Sequence, residues 1–368
     1  MTREKEGEEK MLVALVFGGK SPEHSVSVAT AVLAFDALKK NYDVLPVYID
    51  KNGVWRKCKK NVKPTLKKAK RGRKIKVCFS KPYFYCGVNK IKIDCALLCL
   101  HGANGEDGSV QGVLRLASIP FTGCDVTASA VGMDKIIMKD VFKSNDILHV
   151  EYVGINKEEY DASKILVKSK VRAFGFPVIV KPANAGSSIG ISIAKNAKEL
   201  EKAMTYAFNY DNRIIVEKAL TDFREVNCAV LKSEERFYLS DIEEPRKKGE
   251  ILDYIDKYSI SGKMARRNIP AVLDKEVAEK VRELALKVFK ALGCSGVARI
   301  DFMIDKNGKV YANEINTIPG SLSFYLFVTS SLPPEKICEM LISDALYNHK
   351  KREEIKFSYQ NEIFATKS

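Results

Sequence analysis

The sequence predicts an α/β protein that begins with a doubly wound parallel sheet. Two buried-strand patterns in its first hundred residues run into loops, and a helix pattern follows the first of them. Strands that alternate with helices favour a parallel sheet with helices on both faces. A third observation, a hairpin pattern around Asn307-Gly308, predicts antiparallel strands in the C-terminal half.

The length of 368 residues predicts two or three domains. No apolar run reaches the roughly 18 residues of a membrane-spanning helix, and the charged N-terminus is unlike a signal peptide. The nine cysteines are scattered, odd in number and without a CxxC motif, which favours free thiols over disulfides or a zinc site. We therefore expect a cytoplasmic protein with no membrane partner.

The excess of positive charge belongs to one part of the chain. Lys and Arg number 61 against 46 acids, a net charge of +15, and 16 of these basic residues lie between Asp50 and Asp94 without any acid. This favours a solvated insertion or loop edge over residues 51–92, the basic segment, rather than a specific nucleic-acid binder. A polyanion-binding patch is the weaker alternative, because no DNA-reading motif accompanies the run KKAKRGRKIK.

The N-terminal strand patterns place two loops at one sheet edge. Met11–Phe17 is a continuous apolar run before two glycines, as in a buried parallel strand. The next residues repeat apolar side chains at helical spacing, with Ser25 or Ser27 as the expected N-cap. A second buried strand, Cys95–Leu100, ends at His101. Ligands bind beyond the carboxyl ends of such strands, so we expect both loops to face one crevice.

From about Gly132 the pattern changes, and a strand runs into the glycine-rich loop Lys181–Gly190. Small residues let backbone N–H groups approach an anionic oxygen, while Ser187 and Ser188 add hydroxyls and Lys181 adds a charge. The loop is not a P-loop, since no Gly-Lys-Ser/Thr follows at the right spacing. It predicts a cover for phosphates, with a purely structural turn as the alternative.

The hairpin near the C-terminus is the most informative pattern. Asn307-Gly308 predicts a two-residue turn of type I′ between Lys306 and Lys309. Counting back from this turn fixes which residues of the two strands lie opposite each other.

In that register Asp301 faces Glu314, and Arg299 faces Asn316. Facing side chains of an antiparallel pair lie about 4.5–5.5 Å apart at Cβ, so the two carboxylates would repel without a cation between them. Proteins hold Mg²⁺ with a few hard oxygen ligands when phosphates fill the remaining coordination positions. The hairpin therefore predicts a metal site.

Several long motifs occur along the chain in the same order as in a known protein family. They are FGGKSPEHSVS, HGANGEDGSVQG, VGMDK, VIVKPANAGSSIG, ARIDF and NEINTIPGS. Together they resemble the D-alanine–D-alanine ligases of the ATP-grasp superfamily over roughly residues 12–345. The resemblance implies ATP-dependent joining of two D-alanines through a D-alanyl phosphate, for peptidoglycan.

The resemblance also implies an architecture. A pre-ATP-grasp α/β domain (1–127) with the doubly wound parallel sheet precedes a two-part ATP-grasp α+β fold. Its parts are a central subdomain (128–214) and a C-terminal subdomain with the metal site (215–350), followed by a tail (351–368). A homodimer through the N-terminal domain is implied as well.

The implied ATP and metal residues are carried over position by position. Lys135 and Lys181 match lysines that contact the phosphates, and Ser188 lies in the same phosphate-covering loop. Glu217, Lys218 and Leu220 match the stretch that contacts the adenine, and Glu225 matches the acid that binds the ribose. Asp301, Glu314 and Asn316 match the ligands of two Mg²⁺ (or Mn²⁺) ions.

The implied substrate residues form a second set. Glu23 corresponds to the acid that holds the ammonium group of the first D-alanine, with Ser187 and Tyr258 as its partners. His101 lies in the pocket of that substrate, and Lys257 lies near the γ-phosphate and the acceptor carboxylate. Arg299 and the Gly320 N–H match the donors that stabilise the oxyanion.

The chain departs from the family in the stretch SLSFYLF after Pro319-Gly320. The family typically has a Ser-Leu pair that holds the carboxylate of the second D-alanine, and Tyr325-Leu326 occupy those positions. A ligase with another acceptor, such as D-serine or D-lactate, is therefore an alternative, although Lys257-Tyr258 favours an amine. A catalytically idle nucleotide-binding or polyanion-binding protein is the alternative from a different class.

Overall fold

The computed structural model describes residues 10–173, 175–245, 267–327 and 329–356. The elements of the first half are β1 (Leu12–Gly18), α1 (His24–Leu38), β2 (Asp43–Ile49), β3 (Trp55–Lys57), α2 (Leu66–Ala69), β4 (Arg73–Lys74), β5 (Lys76–Val77), β6 (Tyr83–Cys86), β7 (Asn89–Lys92), β8 (Cys95–Leu98), α3 (Ser109–Leu116), α4 (Val126–Met133), α5 (Lys135–Ser144), β9 (Tyr152–Asn156), α6 (Lys157–Ala162), α7 (Lys164–Arg172) and β10 (Val178–Pro182).

The second half continues the alternation of strands and helices. Its elements are β11 (Ser192–Ala194), α8 (Ala197–Ala207), β12 (Arg213–Lys218), β13 (Phe223–Ser233), β14 (Arg236–Pro245), β15 (Arg267–Asn268), α9 (Lys275–Ala291), β16 (Val297–Asp305), β17 (Val310–Asn316), a 3-10 segment (Gly320–Phe327) and α10 (Pro334–Glu353).

The N-terminal sheet has the strand order β4-β3-β2-β1-β8. Strand β1 pairs in parallel with both β2 and β8, which confirms the predicted parallel strands, whereas β3 and β4 at the edge pair antiparallel. Strand β1 lies between β2 and β8 and is fully buried from Val13 to Phe17, which is why its sequence is apolar without alternation. The loops after β1 and β8 therefore leave the sheet at the same edge.

The predicted N-cap of α1 is wrong. The helix begins at His24 with Glu23 in the cap position, and the Glu23 side chain makes no capping hydrogen bond. Ser25 is exposed, while the Ser27 hydroxyl accepts from Gly18 N (2.7 Å) and donates to Cys99 O (2.5 Å). Ser27 joins the ends of β1 and β8, and this tertiary role replaces the local capping role.

The basic segment is a folded extension rather than a solvated loop. Strands β3 and β4 add to the edge of the N-terminal sheet, and β5, β6 and β7 form a small sheet of their own. Phe84 is fully buried and packs edge-on against Trp55, with ring centroids 6.1 Å apart. The seven Lys and Arg side chains of KKAKRGRKIK are all exposed, as the charge pattern predicts.

Two further sheets are antiparallel throughout. The order β11-β10-β12-β9 places the glycine-rich loop between two neighbouring strands, and α8 packs on this sheet. The order β15-β14-β13-β16-β17 places the C-terminal hairpin at one edge, with α9 packed on β13 and β16. Within the described ranges, none of the helices has the length and apolar composition that crossing a membrane requires.

The hairpin turn differs from the prediction, yet the predicted pairs remain. Val310 pairs with Ile304, and Asp305 N donates to Lys309 O (3.1 Å), so the loop has the three residues 306–308. Only Gly308 (φ 76°) is left-handed, whereas type I′ needs two such residues. A β-bulge at Asn313 then adds one residue to β17 and compensates for the shift. Asp301 therefore faces Glu314 as expected.

Candidate active site

A cavity of ≈ 610 Å³ lies where the three main sheets meet. The start of α1, the loop after β8, the glycine-rich loop, the hairpin and the 3-10 segment all contribute to its wall. The predicted site residues on this wall are Glu23, His101, Lys135, Ser187, Ser188, Glu225, Arg299, Asp301, Glu314, Asn316, Gly320 and Tyr325. One cavity thus brings together residues separated by three hundred positions.

The remaining predicted residues lie elsewhere. Lys181 and Glu217 are buried behind the cavity wall, and Lys218 is half exposed, 3.8 Å from Glu151. Leu220 does not line the cavity, and Leu326 is fully buried in the N-terminal core. Lys257 and Tyr258 are outside the described residues.

Glu23 is buried at the N-terminal side of the cavity. The Ser187 hydroxyl donates to its carboxylate, which joins the start of α1 to the glycine-rich loop. Two glycines make this approach possible, because a Cβ would lie 2.5 Å from a Glu23 oxygen at Gly102 and 3.0 Å from it at Gly186. The carboxylate is thus held between two loops that the sequence separates widely.

His101 is a buried, neutral imidazole. Its Nδ1 donates to Ile318 O (2.8 Å), and its Nε2 accepts from the Thr30 hydroxyl (2.9 Å), which itself accepts from Ser321 N (3.1 Å). Burial lowers the pKa of His101, although the nearby Glu23 acts in the opposite direction. Thr30 was missed by the sequence analysis, because a threonine within a helix carries no local signal.

Glu106 is a second acid that sequence reasoning missed. It accepts from Gly102 N (2.7 Å) and Ile318 N (3.0 Å), so it ties the loop after β8 to the end of β17. Burial, and then the charge of Glu23, raise the pKa of Glu106 to about 8. Its place within the motif HGANGEDG was the available signal.

A buried charge triad lies behind the glycine-rich loop. Glu217 pairs with Lys181 (2.7 Å) and with Lys139 (3.2 Å), and the two lysines approach it from β10 and α5. Burial alone would raise the pKa of Glu217, but the two lysines lower it to about 2. Burial also lowers the pKa of Lys139, whereas Glu217 and its acidic neighbours raise that of Lys181 despite burial. Lys139, inside a helix, was missed by the sequence analysis.

Lys135 holds the glycine-rich loop from the start of α5. Its ammonium donates to Ala185 O (2.5 Å), and its backbone N–H donates to Ala183 O (3.0 Å). Asp134 caps the helix by accepting from two backbone N–H groups and also pairs with Arg213. The lysine side chain is therefore fixed in place at the cavity wall.

The hairpin presents oxygen ligands to the cavity. Asp301 accepts two hydrogen bonds from Arg299 (2.7 and 2.9 Å) and one from Asn316 (3.3 Å), and Glu314 lies opposite. Burial disfavours the charged guanidinium, but Asp301 outweighs this and raises the pKa of Arg299. The described residues contain no cluster of three or more His, Cys, Asp or Glu suited to a metal. The set on the hairpin is instead two carboxylates and one amide.

The charge balance of the cavity fits a divalent cation. Among the described residues, the acids on its wall are Glu23, Glu106, Glu225, Glu243, Asp301 and Glu314, and the lysines and arginines are Lys135, Arg267 and Arg299. Glu106, whose pKa is raised to about 8, is mostly protonated near pH 7, so the five other acids against three permanent cations leave excess negative charge in a confined space. Hard oxygen donors in such a field suit Mg²⁺, which keeps part of its coordination for phosphates and water.

The cavity wall also contains a buried acid, Glu243, that sequence reasoning missed. Glu243 accepts from the Tyr325 hydroxyl (3.1 Å) and the Asn227 amide (3.2 Å), and it pairs with Arg267 (3.1 Å). The Arg267 guanidinium lies 4.7 Å from the centroid of the Tyr325 ring. Burial raises the pKa of Tyr325, so the phenol remains neutral.

Left-handed backbone occurs in two segments of the wall. Ser187 and Ser188 have φ of 54° and 60°, and Ser321, Leu322 and Ser323 have φ between 49° and 56°. Non-glycine residues adopt this region at a cost, and such strain is concentrated where the fold must aim groups at a ligand. Ser187, Ser188 and Ser321 line the cavity, whereas Leu322 and Ser323 are buried next to it in the chain.

Comparison with known families gives two matches that together span most of the chain. The family model described as the D-ala D-ala ligase N-terminus matches residues 12–124, and that of the D-ala D-ala ligase C-terminus matches residues 141–340. A D-alanine–D-alanine ligase of Thermosipho africanus is 38% identical and covers 96% of this chain and 98% of the relative. A D-alanine–D-alanine ligase of Geobacillus kaustophilus is 36% identical, with 96% and 99% covered.

Solved structures agree with these matches. The D-alanine–D-alanine ligase from Coxiella burnetii superposes with a TM-score of 0.82 at 28% identity, covering 94% of this chain and 97% of that one. The VanG D-Ala:D-Ser ligase from Enterococcus faecalis superposes with a TM-score of 0.80 at 29% identity, covering 92% and 100%. The fold expected from the sequence motifs is thereby confirmed.

Proposed function

The chain belongs to the D-alanine–D-alanine ligase family, and from this premise we propose that it joins two D-alanines at the expense of ATP, forming D-alanyl-D-alanine, ADP and phosphate. The observation that carries the proposal is the meeting in one cavity of the Glu23–Ser187 pair, Arg299 and the acidic hairpin. The product would serve peptidoglycan synthesis. The nine cysteines, all of them free thiols, support a cytoplasmic location.

The proposed domain division separates the three main sheets, except that its boundary after residue 214 falls inside β12, a strand of the central sheet. Residues 1–127 form the N-terminal domain, 128–214 the central subdomain and 215–350 the C-terminal subdomain, with 351–368 as a tail. ATP binds between the central and C-terminal subdomains, and two N-terminal domains associate in a homodimer. The antiparallel sheets on either side of the glycine-rich loop support this position for the nucleotide.

We assign the first D-alanine to the N-terminal side of the cavity. Its ammonium group binds the Glu23 carboxylate, which Ser187 orients, and neutral His101 forms the adjoining wall. An anionic carboxylate in a water-poor pocket suits an ammonium ion. Tyr258, assigned to the same group by resemblance, belongs to this proposal as well.

The phosphates lie under the glycine-rich loop in this proposal. Lys135 and Lys181 offset their charge, Ser188 adds a hydroxyl, and Glu225 binds the ribose. The strand end with Glu217, Lys218 and Leu220 contacts the adenine through its backbone, since the Glu217 carboxylate is buried against two lysines. Asp301, Glu314 and Asn316 would hold two Mg²⁺ or Mn²⁺ ions, which supply positive charge to the crowded phosphate oxygens.

The chemistry has two steps. The first D-alanine carboxylate attacks the γ-phosphorus and releases ADP, which converts a poor electrophile into an acyl phosphate. The amine of the second amino acid then attacks the carbonyl carbon, and phosphate leaves. Arg299 and the Gly320 N–H meet the charge that develops on the carbonyl oxygen, a kind of donor typically worth about 2.7–4 kcal/mol. By resemblance, Lys257 belongs near the γ-phosphate and the acceptor carboxylate.

A coupled ADP-release assay tests the proposed function. D-alanine, D-serine and D-lactate are offered alone and in pairs with ATP and Mg²⁺, and the products are identified by mass spectrometry. We expect ADP release with D-alanine alone and D-alanyl-D-alanine as its product. Absence of ADP release with every donor and acceptor would contradict ligase activity.

A D-alanine–D-serine ligase is the second candidate. Two observations favour it: Tyr325-Leu326 replace the usual Ser-Leu pair, and the chain superposes closely on a D-Ala:D-Ser ligase. The same assay separates the two, because a mixed dipeptide would then exceed D-alanyl-D-alanine when both amino acids are present.

Ser187→Ala is expected to weaken binding of the first D-alanine. The change removes the hydroxyl that orients Glu23 and leaves the carboxylate in place. Loss of a hydrogen bond to a charged group should raise KM for the first D-alanine by about 10-fold. Two-site kinetic analysis measures it, and Ser169→Ala, at an exposed serine, serves as the control. An equal rise in both D-alanine KM values would contradict the assignment.

Neutralising the basic segment is expected to leave ligase activity unchanged. The variant replaces the seven exposed basic residues of KKAKRGRKIK by glutamine, and these lie outside the cavity. We expect kcat and each KM to stay within about 2-fold, and any DNA affinity of the wild type to collapse between low and physiological salt. Tight, sequence-dependent DNA binding at physiological salt would support the polyanion-binding alternative.

A further inference from the structure

The buried carboxylate of Glu243, in β14, contacts side chains from two other strands and from the 3-10 segment. Glu243 is 2% exposed, and its two oxygens receive Asn227, Tyr325 and Arg267 from β13, the 3-10 segment and β15. A carboxylate with three donors has little freedom to turn. Glu243 therefore fixes the orientation of any group that it holds.

Arg267 is the group whose orientation this arrangement controls. Its Nη1 pairs with Glu243, and its guanidinium stacks over the Tyr325 ring at 4.7 Å. One contact by one nitrogen uses a small part of a guanidinium, which carries five N–H donors in a planar fork. The side chain lines the cavity and is 35% exposed, so its other donors face ligand space.

The other two permanent cations on the wall are engaged differently. Arg299 is held on two nitrogens by Asp301, and Lys135 donates to Ala185 O in the glycine-rich loop. The Tyr325 phenol donates its proton to Glu243. The hypothesis that this phenol directly receives an acceptor carboxylate therefore fits the contacts less well than a role in holding Arg267.

We propose that Arg267 binds the carboxylate of the second amino acid, and that Glu243 and Tyr325 position its guanidinium. The inference rests on the proposed function, in which the acceptor reacts through its amine and keeps its carboxylate. That anion must lie in a cavity lined by six acids, and a planar guanidinium matches it with two parallel hydrogen bonds. In this proposal Arg267 supplies the contact to the acceptor carboxylate that the usual Ser-Leu pair provides in the family, where this chain has Tyr325-Leu326.

D-alaninamide isolates this contact. It lacks the carboxylate that ATP phosphorylates, so it can act only as an acceptor, and it differs from D-alanine at the group that Arg267 recognises. With D-alanine as donor, we expect the wild type to use the amide at least about 100-fold less efficiently as acceptor, because sites built for a polar group reject analogues that lack it. The preference is measured as a ratio of kcat/KM values from the amounts of each product.

Arg267→Gln is expected to remove most of that preference. KM for the second D-alanine should rise by about 30- to 100-fold, while KM for ATP and for the first D-alanine stays within about 2-fold. Tyr325→Phe, which keeps the ring and removes the bond to Glu243, should raise the second KM by about 5- to 10-fold and leave the other two unchanged. Arg236→Gln, at an exposed arginine of β14, is the matched control.

A double variant covers the case in which Arg267→Gln leaves Glu243 buried without its cation and impairs folding. Arg267→Gln with Glu243→Gln neutralises both partners and should show the same loss of preference. If either variant folds and still prefers D-alanine over the amide as strongly as the wild type, Arg267 does not bind the carboxylate. If the wild type releases no ADP with D-alanine, the proposed function fails, and this inference fails with it.

Discussion

Glu314→Gln is expected to lower kcat by more than about 100-fold while the protein remains folded. The substitution keeps the shape of the side chain and removes one of the two facing carboxylates of the hairpin. Loss of a group that merely supports a metal ligand already costs roughly 10- to 100-fold, and a direct ligand should cost more. The effect should fall on kcat, since metal ions held there would neutralise the charge that develops as the γ-phosphoryl group is transferred.

ADP release is measured over a range of Mg²⁺ and Mn²⁺ concentrations, with binding of Mn²⁺ in the presence of ATP as a second measurement. The wild type should saturate at lower metal concentration than the variant. Glu283→Gln makes the same chemical change at an exposed position of α9 and should alter neither measurement. A near-normal rate of Glu314→Gln at saturating Mg²⁺ would show that the hairpin is not the metal site.

Glu217→Gln is expected to lower the free energy of unfolding by about 3–5 kcal/mol. The change leaves Lys139 and Lys181 buried next to each other without the carboxylate that compensates both. Breaking a buried pair by removing one partner is costly because the remaining charge stays out of water. Urea unfolding at about pH 7 measures the loss, and Glu279→Gln, at an exposed glutamate, should stay within about 0.5 kcal/mol of the wild type.

A double variant distinguishes charge from shape. Glu217→Gln with Lys139→Met removes the acid together with one of the two lysines, so a single buried cation remains. It should recover a substantial part of the loss, because apolar side chains of similar volume often replace buried charges without cost. If the double variant is less stable than Glu217→Gln alone, packing rather than charge explains the effect.

The same site predicts a pH dependence with a definite sign. The pKa of Glu217 is lowered to about 2 from an ordinary value of 4.5, so the folded state favours the ionised acid. This contribution is complete above about pH 4.5 and is lost as the pH falls towards 2. The stability difference between wild type and Glu217→Gln should therefore be smaller at about pH 3.5 than at about pH 7.

The local patterns of the sequence determined the strands, the glycine-rich loop and the pairing of the hairpin acids. A fully buried strand must be apolar throughout, as Met11–Phe17 is, and a hairpin has few ways to place its facing residues. The prediction of the turn type was nevertheless wrong. The pair Asp301–Glu314 was still correct, because the bulge at Asn313 offsets the longer turn, and no sequence rule anticipates such compensation.

The tertiary structure alone decided which distant residues share a site. Thr30, Lys139, Glu243 and Arg267 have no local signal, since the pattern rules take an isolated polar residue in a helix or strand to be solvated, and Glu106 had only its place within a motif. The contacts that matter here join residues far apart in sequence. Ser27 links the ends of two strands rather than capping its helix, and Tyr325 donates to Glu243 from another element. Contacts of this kind depend on how the sheets pack together. Burial then gives such residues their chemistry, since it raises the pKa of Glu106, lowers that of Lys139 and makes a buried charge require a partner.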